Sequence, residues 1–380
     1  MNIILQLNDP AWADKAIATV KELLAECREE LDECERIGRF PAETYRRMGA
    51  RGLLGVITPT EWGGMGGDAP EYCFTTEAMC RYGLVSSQVQ IQGMRWMNDW
   101  GTAEQKQKYL PGMVAGTLVF SESISEPGAG SSLKKLSTTA VRKGGDWVIN
   151  GKKIHINLGA ESHVTLVYAM TDQGLTSFLV DTDLPGVTRH HSEPLGYRFL
   201  PTADMIFEDV RVPDAALLGA PGEGMKTFLS TFNVSRLGNA SELIGFATRA
   251  LAEATDYARQ RDVGANKVTD FQGIQWTLAD CYSALYGASL ARDHAANLVK
   301  QGKDFSMATS LAKKLAVDAA EKTTNDSFAL TGGYGLYRDK PWGQLLYEVK
   351  TLRIAGGSIE ILRNYIAQQI LKDEQLKGLK

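Results

Sequence analysis

Two glycine-rich stretches and one row of polar residues carry most of the chemistry this sequence could support. Glu126-Pro127-Gly128-Ala129-Gly130-Ser131 places glycines where a backbone can come close to a ligand, although, taken alone, it also reads as an ordinary Pro-Gly turn, and Gly332-Gly333-Tyr334-Gly335 is the second such stretch of glycines. Between Val85 and Trp100, Gln88, Gln90, Gln92 and Arg95 stand amid Val89, Ile91 and Met94. Facing inward, they would suit a short, polar or anionic ligand, because unpaired buried polar groups are costly beside an alkyl chain; facing outward, the glutamines would meet solvent. His155 carries the side chain most readily tuned across neutral pH. No metal site is expected: Cys27, Cys34, Cys73, Cys80 and Cys281 include no CxxC pair and no Cys/His cluster at zinc spacing. They read as reduced thiols, Cys27 and Cys34 on an apolar helical stripe, and point to a cytoplasmic protein.

Those residues must be positioned by a chain of 380 residues, long enough for one large unit or several domains, with 44% hydrophobic residues to build its cores. A net charge of −4 spread over a mixed surface leaves no footprint for nucleic acid or an anionic membrane. Met1 to Leu7 is too short for a signal peptide, and no apolar run approaches the ~20 residues of a membrane span.

The texture changes twice along the chain. From Asp9 to about Gly116 it is helical: Val20, Leu23, Leu24, Cys27, Leu31, Cys34 and Ile37 recur at three- and four-residue steps. Pro41 opens a short helix through Met48, and Pro70 another to Tyr82. Between Thr117 and about Pro221, Leu118 to Ile124, Asp146 to Asn150, Val164 to Ala169, Ser177 to Val180 and Met205 to Phe207 read as strands separated by Gly and Pro turns. Beyond Gly224, Phe246 to Arg259, Phe271 to Leu298, Met307 to Leu330 and Ile359 to Leu371 form the long amphipathic segments of an antiparallel bundle.

Over essentially its whole length the chain resembles the acyl-CoA dehydrogenase flavoproteins. The Glu126–Ser131 hexapeptide is similar to the family's β-domain signature. Trp147-Val148-Ile149-Asn150-Gly151-Lys152-Lys153 and Phe207-Glu208-Asp209-Val210-Arg211-Val212-Pro213 resemble its hairpin and closing strand. Phe232-Asn233-Val234-Ser235-Arg236, Tyr257-Ala258-Arg259-Gln260-Arg261 with Phe271-Gln272-Gly273-Ile274-Gln275, and Gly332–Gly335 resemble bundle segments that meet CoA and flavin. Arg353-Ile354-Ala355-Gly356-Gly357-Ser358-Ile359-Glu360-Ile361-Leu362-Arg363, expected to open the last helix, resembles the active-site loop.

This resemblance implies a fold that is mainly α with a central β domain: an N-terminal helical domain (1–116), a middle β-barrel-like domain (117–224) and a C-terminal four-helix bundle (225–380). It implies FAD held tightly but noncovalently, an acyl thioester of CoA or of an acyl-carrier protein as ligand, electron-transferring flavoprotein as redox partner, and a homotetramer or dimer. Cofactor contacts are implied for Ile124 and Ser125 on the strand along the flavin, for His155 and Asn157 at the flavin wall, and for Arg261 and Gln272 at the pyrophosphate, where a guanidinium forms forked bonds to phosphate oxygens. They are also implied for Gly332 and Gly333 from a neighbouring subunit, and for Ser358 and Glu360. Substrate contacts are implied for Ser131 and Arg236 on the CoA side, and for Gln88, Gln92 and Arg95 at the far end of the acyl cavity.

The chain departs from the family where the reaction is decided. The two positions that can supply the general base hold Gly356 and Ser235; glycine offers only backbone, and a serine hydroxyl cannot accept a proton at neutral pH without an activating base. Loss of a general base typically lowers a rate by about 10² to 10⁴. His155 and Asn157 stand where the family often has Trp and Thr, so His155 is a candidate proton donor or a packing group. Gly264 replaces a common phenylalanine, and Tyr347-Glu348-Val349-Lys350 a more usual Arg-Asp-Ala-Lys. Three functions follow: oxidation or reduction at Cα–Cβ with a relocated base; base-free elimination of a sulfinate or carboxylate, or flavin-dependent hydroxylation; and a noncatalytic subunit of a hetero-oligomer.

Overall fold

A computed structural model describes residues 5–85 and 88–372. Five helices come first: α1 (Trp12–Ile37), α2 (Ala42–Ala50), α3 (Ala69–Tyr82), α4 (Gln88–Trp100) and α5 (Ala103–Val114). Seven strands follow: β1 (Phe120–Ser123), β2 (Thr139–Lys143), β3 (Asp146–Ile156), β4 (Val164–Thr171), β5 (Gly174–Asp181), β6 (Val187–Ser192) and β7 (Thr202–Val212). The chain closes with α6 (Gly224–Gln260), the short hairpin β8 (Asp262–Val263) and β9 (Asn266–Lys267), α7 (Gln272–Lys300), α8 (Ser306–Leu330), α9 (Pro341–Ile354) and α10 (Ile359–Lys372). The order of helices, sheet and helices matches the expected fold class. No described helix is long and apolar enough to cross a membrane.

The chain forms two compact units. A helical unit comprises Met1–Leu24, Asp68–Ser86 and Asn233–Lys380, and a sheet unit comprises Ala25–Gly67 and Ser87–Phe232. In the sheet unit the strands run in the order β1-β4-β2-β3-β7-β6, with β5 on β4. β1 and β4 are parallel, whereas β4–β5, β2–β3, β3–β7 and β6–β7 are antiparallel. Alternation sends Trp147, Ile149, Val167, Phe178, Val180, Met205 and Phe207 into one apolar core. Two strands escape a reading of hydrophobic pattern for a visible reason: β2 buries only Ala140, and β6 buries none of its side chains fully.

Local chemistry explains the helix starts. Asp68 and Glu71 form a capping box at α3, and Thr102 and Gln105 another at α5, which satisfies amide donors that a first turn leaves free. The Gln90 side chain ties α4 to the chain after it, donating to Met113 O (2.9 Å) and Leu118 O (2.7 Å) while accepting from Phe120 N (2.9 Å). In the helical unit, Arg292 of α7 is buried and joins Glu77 of α3 (2.9 Å), Asp293 (2.6 Å) and Ser241 Oγ of α6 (3.1 Å). A β-carbon on Gly245 would come within 2.7 Å of Cys80 Cβ and of Glu77 O, so α6 meets α3 there only through glycine.

Candidate functional site

The turn around Gly356 is built from three helices of the helical unit. α9 ends at Ile354 and α10 begins at Ile359, so the last helix does not open at Arg353; Gly356 (φ +65°) and Gly357 (φ +88°) adopt left-handed backbone and break the run. Lys313 of α8, fully buried, donates from Nζ to Ala355 O and to Gly357 O (2.8 Å), clamping the turn on both sides of Gly356. Burial and the nearby Arg236 guanidinium push the Lys313 ammonium down to about 7, against the opposing pull of Glu242.

A β-carbon built on Gly356 would overlap Asn239 Oδ1 and lie 3.3 Å from Lys313 Nζ. The position is therefore filled from the side by Asn239 of α6, whose Oδ1 is buried without a hydrogen-bond partner. Ser235 and Arg236 lie about one turn earlier on α6, both buried, and Arg236 donates to Ser310 Oγ (2.9 Å). Glu360 is exposed; its own backbone N–H, Ser358 and the cations Arg353 (2.9 Å) and Arg363 hold its carboxyl below the usual range. Gly356, Ser235, Ser358 and Glu360 supply no buried proton acceptor here.

Elsewhere in this unit, Arg261, Gly332 and Gly333 come together with Tyr257, Thr331 and Tyr337 in a groove of about 630 Å³. A β-carbon on Gly332 or Gly333 would meet no protein atom within 4 Å, and Gly332 sits at φ +56°. Exposed backbone beside a free guanidinium fits a phosphate-bearing cofactor. Gln272, at the start of α7, is exposed and outside the groove lining.

The sheet unit holds the other expected residues. The hexapeptide is a clamp at its glutamate and open at its glycines. Glu126 accepts from Ser137 N (2.6 Å), Ser137 Oγ (2.7 Å), Thr138 N (3.0 Å) and the buried Lys153 Nζ (2.8 Å). Desolvation would raise this carboxyl, but Lys153 and the Ser137–Thr138 donors overcome it and bring it to about 2. Gly128 and Gly130 could each take a β-carbon without meeting the protein, and Ser131 is exposed. Ile124 O accepts from Lys153 Nζ (3.2 Å) and Ser125 O from Ile154 N (2.9 Å), tying the segment after β1 to β3.

His155 lies within the register shift between Lys153 and Ile156, where β3 slips against β7, and Asn157 follows the end of β3. His155 is exposed at φ +58°, and its N–H reaches Asp204 Oδ1 (3.4 Å). Asn157 Oδ1 is buried and unpartnered. On α4, Gln88, Gln90 and Gln92 are all buried, which overturns the solvent-facing alternative. Gln90 is consumed by its backbone bonds. Gln92 Nε2 and Arg95 Nε are buried without hydrogen bonds, although Arg95 stands 3.4 Å from Asp99 in an ion pair.

Three residues escaped the sequence reading. Asn239 and Lys313 declare themselves only when α6, α8 and the Gly356 turn meet. Glu122 on β1 is partly buried, its Oε1 sealed from solvent without a partner, and burial raises its carboxyl to about 8. A signal was present: a glutamate in the middle of the strand Phe120-Ser121-Glu122-Ser123 must point to one face of a buried sheet.

Comparison with known proteins agrees across the whole chain. Residues 13–117, 121–210 and 222–371 match the models described as "Acyl-CoA dehydrogenase, N-terminal domain", "middle domain" and "C-terminal domain". An acyl-CoA dehydrogenase of Bacillus subtilis is 34% identical, covering 95% of each chain, and a 3-(aryl)acrylate reductase of Clostridium sporogenes is 33% identical, covering 90% of this chain and 93% of the relative. A glutaryl-CoA dehydrogenase from Mycobacterium smegmatis, solved in complex with FADH2, superposes with a TM-score of 0.91 at 25% identity, covering 96% of this chain and 95% of the other.

Proposed function

Because the chain belongs to the acyl-CoA dehydrogenase family of FAD flavoenzymes, we propose that it catalyses FAD-dependent oxidation or reduction at the Cα–Cβ bond of a short or polar acyl thioester. When bound, the flavin supplies a two-electron acceptor or donor for hydride. Arg261, Gly332 and Gly333 would hold its phosphate-bearing part, the open glycines of 128–130 and the backbone of Ile124 and Ser125 its other contacts, with His155, Asn157, Gln272, Ser358 and Glu360 completing the set. Ser131 and Arg236 would serve the CoA or carrier-protein arm. The observation that carries the choice of substrate is the buried, unbonded amide donor Gln92 Nε2 on α4, on the same helix as the Arg95–Asp99 ion pair; it suits a polar acyl end and would penalise a long alkyl chain.

A second reading has its own support. Asn239 fills the place of a base at position 356, which favours base-free chemistry: an elimination, in which departure of a β-group replaces α-proton removal, or a flavin-dependent hydroxylation. Anaerobic titration of the purified protein with short, branched and dicarboxylic acyl-CoAs separates the two: bleaching of the oxidised flavin band supports dehydrogenation, whereas substrate loss without bleaching supports elimination.

Electron-transferring flavoprotein is the proposed redox partner. The proposed assembly is a homotetramer or dimer, supported by Trp276, Tyr282 and Tyr286, which α7 leaves exposed; light scattering of the purified protein tests it. The segments 1–116, 117–224 and 225–380 are the proposed functional division, in a cytoplasmic protein.

A further inference from the structure

The side of the sheet opposite its apolar core carries an unfinished polar cluster. Glu122 pairs with Leu166 across β1 and β4, and Tyr168 with Ser177 across β4 and β5. Paired residues share a face, as do residues two apart on a strand, so Phe120, Glu122, Leu166, Tyr168 and Ser177 project together. Helices cover this face: Gly93 of α4 lies against the Phe120 ring, the Tyr168 ring meets Phe228 of α6 edge-on at 5.7 Å, and Thr231 follows Phe228 by one turn. Glu122 Oε1, Tyr168 OH, Ser177 Oγ and Thr231 Oγ1 are all buried with no hydrogen-bond partner. Buried polar atoms are nearly always paired, so the three unpaired ones on one sheet face, from Glu122, Tyr168 and Ser177, mark a place completed by something polar.

We propose that Glu122 is the relocated proton acceptor of this chain, taking the α-proton of the acyl thioester in place of the carboxylate that Gly356 and Ser235 do not provide, with Tyr168 beside it. The inference rests on the function proposed above, in which the backbone of Ile124 and Ser125, next to β1, contacts the flavin. In the step, the Cα–H bond breaks, the proton forms an O–H bond on the Glu122 carboxylate, and the electron pair remains on the thioester as its enolate; reversal returns the proton to Cα. Burial raises the Glu122 carboxyl to about 8, close to a working pH, where a general base is both available and strong enough. The fully buried Tyr168 phenol is raised by burial and then by Glu122, which places the two groups within electrostatic reach. Of the other elements on this face, α6 contributes Phe228 and Thr231 and β5 contributes Ser177. The charges of α4 and β5 are engaged elsewhere, Arg95 with Asp99 (3.4 Å) and Asp181 with Lys108 (2.6 Å) and Tyr109 (2.9 Å).

The test is deuterium incorporation at Cα of butyryl-, isobutyryl- and glutaryl-CoA by the flavin-loaded protein in D2O, without oxygen, as a function of pH. Wild-type exchange should rise with a midpoint near 8, and Glu122→Gln should lower it by at least about tenfold while flavin content and acyl-CoA binding stay unchanged. In flavin-free protein, an infrared protonated-carboxyl band should persist to about pH 8 and vanish in Glu122→Gln. Should that variant not fold, Glu122→Asp retracts the carboxyl by one methylene and should show the same loss. Either variant exchanging at the wild-type rate overturns the assignment of Glu122, as does a wild type that binds flavin and acyl-CoA yet exchanges nothing. A wild type that takes up no flavin, or whose flavin spectrum ignores every acyl-CoA, overturns the underlying function as well.

Discussion

A glutamate introduced at position 356 needs room for a β-carbon where Asn239 Oδ1 already stands, and it must hold φ near +65°, a region side-chain-bearing residues enter at a penalty of about 1–2 kcal/mol. Gly356→Glu is therefore expected to destabilise the protein by ~1–3 kcal/mol through overpacking and strain, read as a lower denaturant midpoint, and to add no dehydrogenase activity to that of the wild type. Adding Asn239→Ala should recover part of the midpoint by clearing the overlap; a single variant as stable as wild type would remove the steric account. That position 356 lacks the family's carboxylate is legible in the sequence, but only through the resemblance that assigns a base to that position. That the gap is filled is not legible, because Asn239 and Lys313 lie far from Gly356 along the chain and meet it only through helix packing. His155 shows the reverse: its chemistry is plain from its type, but the structure gives it an exposed, left-handed position beside Asp204.

At the level of elements, the hexapeptide's glutamate holds the turn after β1 to β3 through Lys153. Both side chains are almost wholly buried, so Lys153→Met would leave the Glu126 charge without its ammonium. The expected loss is about 3–5 kcal/mol, since breaking a buried pair strands an uncompensated ion, measured by equilibrium unfolding; a loss below 1 kcal/mol would show that Ser137 and Thr138 suffice. α4 meets β1 through glycine in a similar way: a β-carbon on Gly93 would overlap the Phe120 ring, so Gly93→Ala is expected to lower stability by ~1–3 kcal/mol despite its better helix propensity. Long helices and most strands were legible because a 3.6-residue or two-residue period survives in the residue types. β2 and β6 are not, since they bury too little for alternation to show, and α9 is not identified in the sequence, its last residues Arg353 and Ile354 being assigned to the last helix across the glycine turn.

For the whole molecule, three buried groups with displaced ionisation should leave separate marks on stability as pH changes. Glu126 titrates at about 2 in the fold against 4.5 in the unfolded chain, so its contribution is complete above 4.5 and disappears as pH falls toward 2. Glu122 is the opposite case. With about 8 in the fold against 4.5 unfolded, the native state binds more protons across that interval, and stability declines as pH rises from 4.5 to 8. Lys313, at about 7 against 10.5, binds fewer protons when folded, so the handicap of its buried ammonium is full below 7 and lifts as pH climbs to 10.5. Denaturation followed across this range should therefore show an acid rise, a decline through neutrality and a partial alkaline recovery. Glu122→Gln should flatten the decline, and Lys313→Met the recovery, each leaving the acid limb in place. An unchanged neutral slope in Glu122→Gln would mean that Glu122 ionises normally in the fold, so the limb that each variant removes identifies the group responsible without reference to any bound cofactor.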